Sequence, residues 1–276
     1  MIIVALHGFF GAPEDWLTPL ANLAADSKNE TEPETEPEIV APDLAVWATR
    51  GEITDFDTFA ASFNRSVRAL SEKLDEPVMI VGYSMGARLA AACVLDEPDL
   101  YRAALLISMN PGLAQADLEA RRLRVEADLQ WAERLRTDKW ETSWNAWNEQ
   151  PVLKPGTRSL RKTEKHSKQL EAVSHKSEKR RQAWARAIDI WSLGHQPDMR
   201  AELLEWAADD GHRLTLVTGT DDTKFTELTA KWVSEGIAKA GLPPETVRHR
   251  LILGAGHRIL IEAPEDVVAE LSTLLE

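Results

Sequence analysis

The chain has 276 residues, of which 43% are hydrophobic and 28% are charged, proportions that are typical of a globular protein. No apolar run approaches the roughly 20 residues that span a bilayer, so we expect no membrane span. The net charge of -13 argues against general nucleic-acid binding. The first residues, MIIVALHGFF, lack a basic leader and a cleavage site, which favours a cytoplasmic protein.

Six short β-rich runs alternate with stretches of helical periodicity along the chain. This alternation is typical of an α/β fold with a mostly parallel sheet and helices on both faces. The predicted strands are 2–6, 38–43, 78–83, 103–108, 213–219 and 248–253. The predicted helices are 13–25, 57–74, 86–95, 225–240 and 264–274. The acidic, Pro-containing stretch 27–38 is predicted to be a solvated loop.

The alternation stops between residues 110 and 197, where the periodicity is helical and no strand is convincing. We therefore predict an α/β core of residues 1–109 and 198–276, with a helical cap at 110–197. Residues 113–200 carry 18 Lys and Arg against 13 Asp and Glu, a net charge of +5, which leaves -18 on the remainder. The same segment holds six of the ten tryptophans. The predicted cap is thus the cationic part of an acidic chain.

Residues 82–86, GYSMG, place a serine between two glycines, after a predicted strand and before a predicted helix. This is the G-x-S-x-G pattern in the context that a nucleophile elbow requires. The turn holds the serine in a strained backbone conformation, and the glycines leave room for the strand and helix beside it. We predict that Ser84 lies at the carboxyl edge of the sheet as a catalytic residue, with a simple tight turn as the alternative.

A serine hydroxyl needs a base that takes its proton and an acid that orients the base. His257 lies in a Gly-rich loop after the last predicted strand, and Asp221 and Asp222 follow the strand before it. Ser, Asp, His is the chain order of an α/β-hydrolase triad. Either aspartate could cap the helix that follows, so one is expected to be catalytic and the other structural.

Negative charge that builds up in a reaction needs backbone N–H donors. One is predicted at Met85, the residue after the serine. The other is predicted at Phe9, because His7 and Gly8 follow the first strand and let the chain turn back toward Ser84. A plain glycine turn is the alternative interpretation of this loop.

With HGF, GYSMG, TDDTKF and GAGH in order, the sequence resembles the α/β-hydrolase superfamily along nearly its whole length. Within it, the chain resembles the 2-succinyl-6-hydroxy-2,4-cyclohexadiene-1-carboxylate synthases of menaquinone biosynthesis. The likeness is carried by HGFFGAPEDW, GYSMGARLA, NPGL, RLRVEADLQWAERLR, WNEQPVL, HQPDM, DDTKF and AGH. Aligned on DDTKF, the resemblance implies that Asp222 is the acid.

The resemblance implies an elimination in which a succinylated cyclohexene loses a proton and pyruvate leaves, without an acyl-enzyme. The triad would act as the base, and the oxyanion site would stabilise charge on the succinyl carbonyl. The substrate is a small anionic molecule with three carboxylates, for which arginine is the suitable ligand. The substrate-binding positions implied by the family are Tyr83, Arg88, Arg124 and Trp147, with a surface or core role as the alternative for each.

Two places depart from the family pattern. A further cap arginine of the family falls on Lys176, which keeps the charge and loses the planar fork, so that carboxylate is bound more weakly or by Arg180 or Arg181. After the second strand, APDLAVWATRG replaces the more usual DLPGHG turn and is expected to bring Trp47 near the site. The exact substrate therefore stays open.

The remaining sequence suggests no other chemistry. Cys93 lies in an apolar helical stretch and is predicted to be a buried thiol. The seven histidines show no metal-ligand spacing and no phosphate-binding glycine loop is present, so we expect no metal and no cofactor. Oligomeric state is not indicated. Besides the lyase, two hypotheses stay open: a hydrolase of esters or C–C bonds, and a binding protein that has lost catalysis.

Overall fold

The structure, a computed structural model, describes residues 1–20, 37–158 and 177–275. Within these ranges its centre is a parallel six-stranded sheet with the strand order β2-β1-β3-β4-β5-β6. The strands are β1 (Ile2–Leu6), β2 (Glu38–Val40), β3 (Val78–Tyr83), β4 (Tyr101–Ile107), β5 (Arg213–Gly219) and β6 (Val247–Ile252). All six predicted strands are present, and the α/β fold class is confirmed.

The predicted second strand is the one that differs most from the structure. It was expected over 38–43, but β2 ends at Val40. Pro42 has no N–H to donate to a neighbouring strand, and edge strands such as β2 are commonly short. The chain therefore leaves the sheet early and enters a helix that the sequence pattern did not predict.

Helices flank the sheet. They are α1 (Glu14–Leu20), α2 (Leu44–Ala48), α3 (Phe56–Leu74), α4 (Met85–Asp96), α5 (Leu118–Thr137), α6 (Trp140–Asn148), α7 (Glu178–Ile190), α8 (Arg200–Ala208), α9 (Thr223–Ala240), α10 (Ile259–Glu262) and α11 (Pro264–Leu275). The five predicted helices correspond to α1, α3, α4, α9 and α11, whereas α2, α8 and α10 were not predicted. No helix of the described ranges is long and apolar enough to cross a membrane. The predicted loop 27–38 lies outside the described residues except for its last two positions.

The strands alternate their side chains between two hydrophobic clusters, one on each face of the sheet. In β1, Ile2, Val4 and Leu6 belong to one cluster, and Ile3 and Ala5 to the other. All five are fully buried. Apolar residues therefore occupy both faces, as expected when helices cover a parallel sheet on both sides. Cys93 is also fully buried, which confirms the prediction for the thiol.

Between β4 and β5 the described residues form the helices α5, α6, α7 and α8. Helices α5 and α7 pack against each other, and α7 also packs against α2. Ala132, Leu135 and Trp184 are buried in the same hydrophobic cluster as Leu6 of the sheet. The segment thus shares its core with one face of the sheet, while a domain division at residues 109 and 198 stays a prediction.

The turn between β3 and α4 contains Ser84, whose φ of 53° is rare for a residue with a side chain. Such a conformation costs on the order of 1 to 3 kcal/mol and persists only where the surroundings hold it. The Ser84 N–H donates to the Ile107 carbonyl oxygen at 2.9 Å. A side chain at Gly82 would lie 2.5 Å from Ala87 Cα, and one at Gly86 would collide with the β1 backbone. Both glycines are needed for the close packing around the turn.

We expect Gly86→Ala to lower the free energy of unfolding by about 3 kcal/mol or more, because overpacking against a rigid strand costs at least about 1 to 3 kcal/mol. Gly51→Ala is the matched control, since nothing lies within 4 Å of its added methyl group. Its change should stay within about 0.5 kcal/mol. Urea denaturation of both variants measures the difference, and equal stabilities would contradict this description of the elbow.

Candidate active site

Three side chains that are far apart in the sequence form a hydrogen-bonded chain at the carboxyl edge of the sheet. His257 Nε2 lies 3.1 Å from Ser84 Oγ, and His257 Nδ1 lies 2.7 Å from Asp222 Oδ2. Ser84 follows β3, Asp222 follows β5, and His257 follows β6. His257 and Asp222 are 4% and 5% exposed. Their convergence is that of a Ser-His-Asp triad.

Of the two adjacent aspartates, Asp222 makes both the contact with the histidine and the helix cap. Asp222 contacts His257 through Oδ2 and also caps α9, because its Oδ1 accepts the Phe225 N–H at 3.4 Å. Asp221 is exposed and accepts the N–H and the hydroxyl of Thr157 at 2.7 and 2.8 Å. These hydrogen bonds lower the pKa of Asp221. Asp221 therefore links the segment after α6 to the loop after β5.

The partners of His257 indicate the positions of its protons. The Asp222 carboxylate accepts a hydrogen bond from Nδ1–H, which leaves Nε2 to accept the Ser84 hydroxyl proton. The loop before His257 is held by Glu262, whose Oε2 accepts the N–H of Gly256 at 2.8 Å and of Gly156 at 3.0 Å. Glu262 is 3% exposed. A buried carboxylate thus positions the loop that carries the histidine.

The predicted oxyanion donors lie on two loops beside Ser84. Met85 is the first residue of α4, so its N–H has no carbonyl partner within the helix. The loop before Phe9 is held by His7, whose Nδ1 lies 2.9 Å from the Gly8 carbonyl oxygen and whose Nε2 accepts the Leu44 N–H at 3.1 Å. In the described part of the chain, neither the Phe9 N–H nor the Met85 N–H donates to a protein acceptor.

A cavity of about 160 Å³ opens at Ser84, and we call it the first cavity. It brings most of the predicted site together, namely Ser84, His257, Phe9, Met85, Arg88, Arg124 and Trp147. Tyr83 does not line the first cavity but lines a neighbouring one that also reaches Ser84. Lys176 lies outside the described residues.

Arg88 and Arg124 place two guanidinium groups on the first cavity. Arg88 Nη1 donates to the Trp191 carbonyl oxygen at 3.0 Å and to Gln196 Oε1 at 3.2 Å. Burial, and then the charge of Arg124, lower the pKa of Arg88 to about 9, so that it stays cationic at neutral pH. Neither acceptor of Arg88 carries a charge, and a bound anion would therefore stabilise it.

Arg124 is oriented from its own helix. Its Nε donates to Asp128 Oδ2 at 2.8 Å, one turn further along α5. Asp128 is 3% exposed and also accepts the Ser192 hydroxyl at 2.7 Å. The arginine side chain itself is 37% exposed. Asp128 therefore fixes the direction of a guanidinium whose remaining donors are available to a ligand.

Trp147 forms an aromatic wall next to the oxyanion loop. Its ring centroid lies 4.7 Å from that of Phe9 and 5.0 Å from that of Trp131. Trp147 lines both the first cavity and its neighbour. Trp147 is therefore part of the wall that the two cavities share.

The expectation that Arg180 or Arg181 serves as a carboxylate ligand is not met, because both are engaged outside the two cavities. Arg180 donates to Asp43 Oδ2 at 2.6 Å and to the Gly11 carbonyl oxygen at 3.2 Å. Arg181 donates to the Leu135 carbonyl oxygen near the end of α5. Both arginines therefore bind groups of the protein itself: backbone carbonyl oxygens and, for Arg180, the Asp43 carboxylate.

Trp47 likewise does not reach the site. It lies in α2, where its ring packs against Phe59 and Phe63 of α3 with centroid distances of 5.6 and 5.2 Å. The expectation that it adds bulk near Ser84 is wrong, because the unpredicted helix turns its side chain into the core. It is 8% exposed.

Several lining residues of the first cavity were missed although they belong to motifs that the sequence analysis quoted. They include Asn110 of NPGL, Gln150 of WNEQPVL, and Lys224 and Phe225 of DDTKF. Lys224 is exposed and adds a third cation to the cavity. These motifs were the sequence signal by which the missed residues could have been identified. Only the structure shows which of their side chains face the same space.

Comparison with known proteins identifies the family of the chain. A sequence profile of the α/β hydrolase family matches residues 3–271. The 2-succinyl-6-hydroxy-2,4-cyclohexadiene-1-carboxylate synthase of Serratia proteamaculans is 30% identical over 224 residues, which cover 80% of this chain and 76% of the relative. The synthase of the same name from Enterobacter sp. is 33% identical over 200 residues. That match covers 71% of this chain and 66% of the relative, just under two thirds of its length.

Two solved structures share the fold. MenH from S. aureus has a TM-score of 0.77 at 19% identity and covers 100% of this chain and 93% of its own. A malate-bound thermophilic esterase from Thermogutta terrifontis has a TM-score of 0.68 at 17% identity, with 100% and 89% covered. These identities show the fold alone. The sequence relatives go further: the chain is an enzyme of the α/β hydrolase family and belongs, within it, to the family of the 2-succinyl-6-hydroxy-2,4-cyclohexadiene-1-carboxylate synthases.

Proposed function

We propose that the protein eliminates pyruvate from a succinylated cyclohexene carboxylate that carries an enolpyruvyl group, and so forms the cyclohexadiene for which its relatives are named. The observation that carries the proposal is the hydrogen-bonded chain of Ser84, His257 and Asp222 at the base of a cavity with three cationic side chains. A general base and a polycationic pocket are what the elimination of a tricarboxylate requires.

The first requirement is a base strong enough to remove a proton from carbon. As Ser84 Oγ takes that proton, its own hydroxyl proton passes to His257 Nε2, 3.1 Å away. The Asp222 carboxylate stabilises the imidazolium that forms. The electron pair of the broken C–H bond forms a ring double bond, and the C–O bond to the enolpyruvyl group breaks. The proton on His257 then returns to the departing enolate, which becomes pyruvate, so that no oxidant or reductant is needed.

The second requirement is a place for the negative charge that builds up on the succinyl carbonyl. The N–H groups of Phe9 and Met85 are positioned beside Ser84 and have no protein acceptor within the described ranges. One such donor contributes about 2.7 to 4 kcal/mol to stabilising a transition state. His7 supports this role because it holds the turn that presents the Phe9 amide.

The third requirement is recognition of carboxylates by a chain whose net charge is -13. Arg88, Arg124 and Lys224 concentrate positive charge at the first cavity, and Trp147 supplies a flat wall for the ring. Asp128 keeps Arg124 in position through an ion pair, and the same pair neutralises the buried Asp128 carboxylate. The cations are thus concentrated where an anionic substrate would bind.

The activity itself is the first test. Purified protein should release pyruvate from the succinyl-enolpyruvyl substrate in a lactate dehydrogenase-coupled assay, with the Serratia proteamaculans synthase as positive control. Absence of release under conditions where the control is active would overturn the proposal. The 3.1 Å contact between Ser84 and His257 is equally suited to ester hydrolysis, the second candidate function. Rapid labelling of Ser84 by a fluorophosphonate, together with turnover of short-chain esters, would favour that hydrolase.

Arg124→Ala should lower kcat/KM for pyruvate release at least about tenfold, because a hydrogen bond to a charged group contributes about 1.5 to 3 kcal/mol. Arg122→Ala is the matched control on the same helix. Arg122 is exposed, pairs with Glu119 and Glu126, and does not line the first cavity. Equal losses in the two variants, at unchanged melting temperature, would mean that Arg124 makes no specific contact.

Asp222→Asn and Asp221→Asn separate the orienting carboxylate from its neighbour. Asparagine at 222 keeps an oxygen for the cap of α9 but favours the wrong tautomer of His257, so kcat should fall on the order of 10³ to 10⁴-fold. Asp221→Asn should change kcat only a few-fold, since Asp221 contacts Thr157 and not the histidine. Steady-state kinetics at pH 7 give both values, and a larger loss at 221 would refute the assignment.

A further inference from the structure

A second cavity of about 80 Å³ adjoins the first and is not used by the reaction steps above. The two cavities share Ser84, His257 and Trp147 in their linings. The residues that line the second cavity and not the first include Asp15, Tyr83, Trp144, Asn148, Arg258 and Ile261. A ligand that reaches the reacting centre from the first cavity can therefore extend past Ser84 into the second.

Arg258 is the cation of this second cavity. It directly follows His257 in the chain and is half-buried. One guanidinium nitrogen, Nη2, donates to the side-chain oxygen of Asn148. Within the described ranges no carboxylate forms an ion pair with Arg258, so its other N–H donors have no anionic partner. A half-buried guanidinium without a counter-charge is stabilised when an anion binds to it.

Asn148, the last residue of α6, sets the direction of the Arg258 guanidinium. Asn148 ends α6, and its Nδ2 donates to the Trp144 carbonyl oxygen at 2.7 Å. The Asn148 oxygen is thereby directed to Arg258. An amide that accepts from the guanidinium orients it without neutralising it. Arg258 is therefore oriented by a neutral partner and keeps its positive charge available to a bound anion.

Tyr83 supplies a second donor to the same space. Its ring centroid lies 5.7 Å from that of His257. Burial raises the pKa of Tyr83 well above its usual range, although the charge of Arg258 opposes the shift. The hydroxyl is therefore protonated at neutral pH and donates a hydrogen bond rather than repelling an anion.

Asp15 limits how much negative charge the second cavity accepts. Its Oδ2 accepts the Ala12 N–H at 3.0 Å, and burial raises the pKa of Asp15 to about 6. At neutral pH Asp15 is mostly ionised. Its negative charge therefore offsets part of the positive charge of Arg258 in the second cavity. The cavity is thus suited to one carboxylate on a small apolar group and not to a dicarboxylate.

We propose that the second cavity binds the carboxylate of the leaving three-carbon group through Arg258, and that pyruvate, a small 2-oxo monocarboxylate, occupies it after elimination. This inference rests on the proposed function. The carboxylates that remain on the ring would stay with Arg88 and Arg124 in the first cavity. The substrate would therefore lie across Ser84, with its leaving group on the side of Arg258.

Pyruvate alone is the probe, and two isoleucines report its position. Ile261 lines only the second cavity and Ile188 only the first. In wild-type protein with labelled isoleucine methyl groups, the pyruvate methyl protons should show nuclear Overhauser contacts to Ile261. Contacts to Ile188 alone, or no binding of pyruvate, would overturn the inference without requiring any variant to fold.

Variants test whether Arg258 is responsible. Arg258→Gln should weaken pyruvate binding in calorimetry at least about tenfold, and Arg258→Lys should lose less, since it keeps the charge. Asp15→Asn should tighten binding, because it removes the opposing carboxylate. Arg122→Ala, outside both cavities, should bind like wild type. Wild-type affinity in Arg258→Gln would refute the proposal.

The inference and the proposed function fail separately. If the enzyme releases pyruvate from the succinyl-enolpyruvyl substrate but pyruvate contacts only Ile188, the inference fails and the function stands. If no pyruvate is released but pyruvate contacts Ile261 in an Arg258-dependent manner, the second cavity stands as a site for small 2-oxo acids and the function fails.

Discussion

The site depends on one geometric constraint, the common edge at which parallel strands end. Since β1, β3, β5 and β6 run in the same direction, the loops that follow them all emerge on one side of the sheet. These loops carry Phe9, Ser84, Asp222 and His257. The strained turn at Ser84 is held by the Ile107 carbonyl and by close packing at two glycines. The burial of the strands stabilises this edge, and hydrogen bonds made by His7 and Glu262 hold two of its loops.

The helices between β4 and β5 supply charge to that edge and also hold its loops. Arg180 binds the Gly11 carbonyl and Asp43, and Arg186 binds the Ala48 and Ile53 carbonyl oxygens. These contacts attach α7 to the segment after β2 and to the loop after β1. The arginines of the cationic segment therefore have two tasks: some bind protein backbone, while Arg124 of α5 faces the first cavity, where Arg88 of α4 also lies.

Short apolar runs in the sequence predicted the strands of the sheet well, because strands that are covered on both faces are continuously apolar. Helices α2 and α8 were missed, since α2 has only five residues and local periodicity is weak over so short a stretch. The triad was predictable because each member follows a strand and therefore lies at the same edge. Arg258, Lys224 and Asp15 were not identified, because a charged side chain at the start of a helix looks alike in sequence whether it faces solvent or a cavity.

The sequence by itself determined the α/β fold, the elbow serine, the order of the triad and the family, because these depend on local turn chemistry and strand burial. Tertiary structure alone decided that Arg180 and Arg181 bind groups of the protein itself, and that a second cavity adjoins Ser84. The physical reason is that side-chain partners such as Arg180 with Asp43, or Arg258 with Asn148, lie more than a hundred residues apart. Their distance in space is set by packing, which one-dimensional patterns do not record.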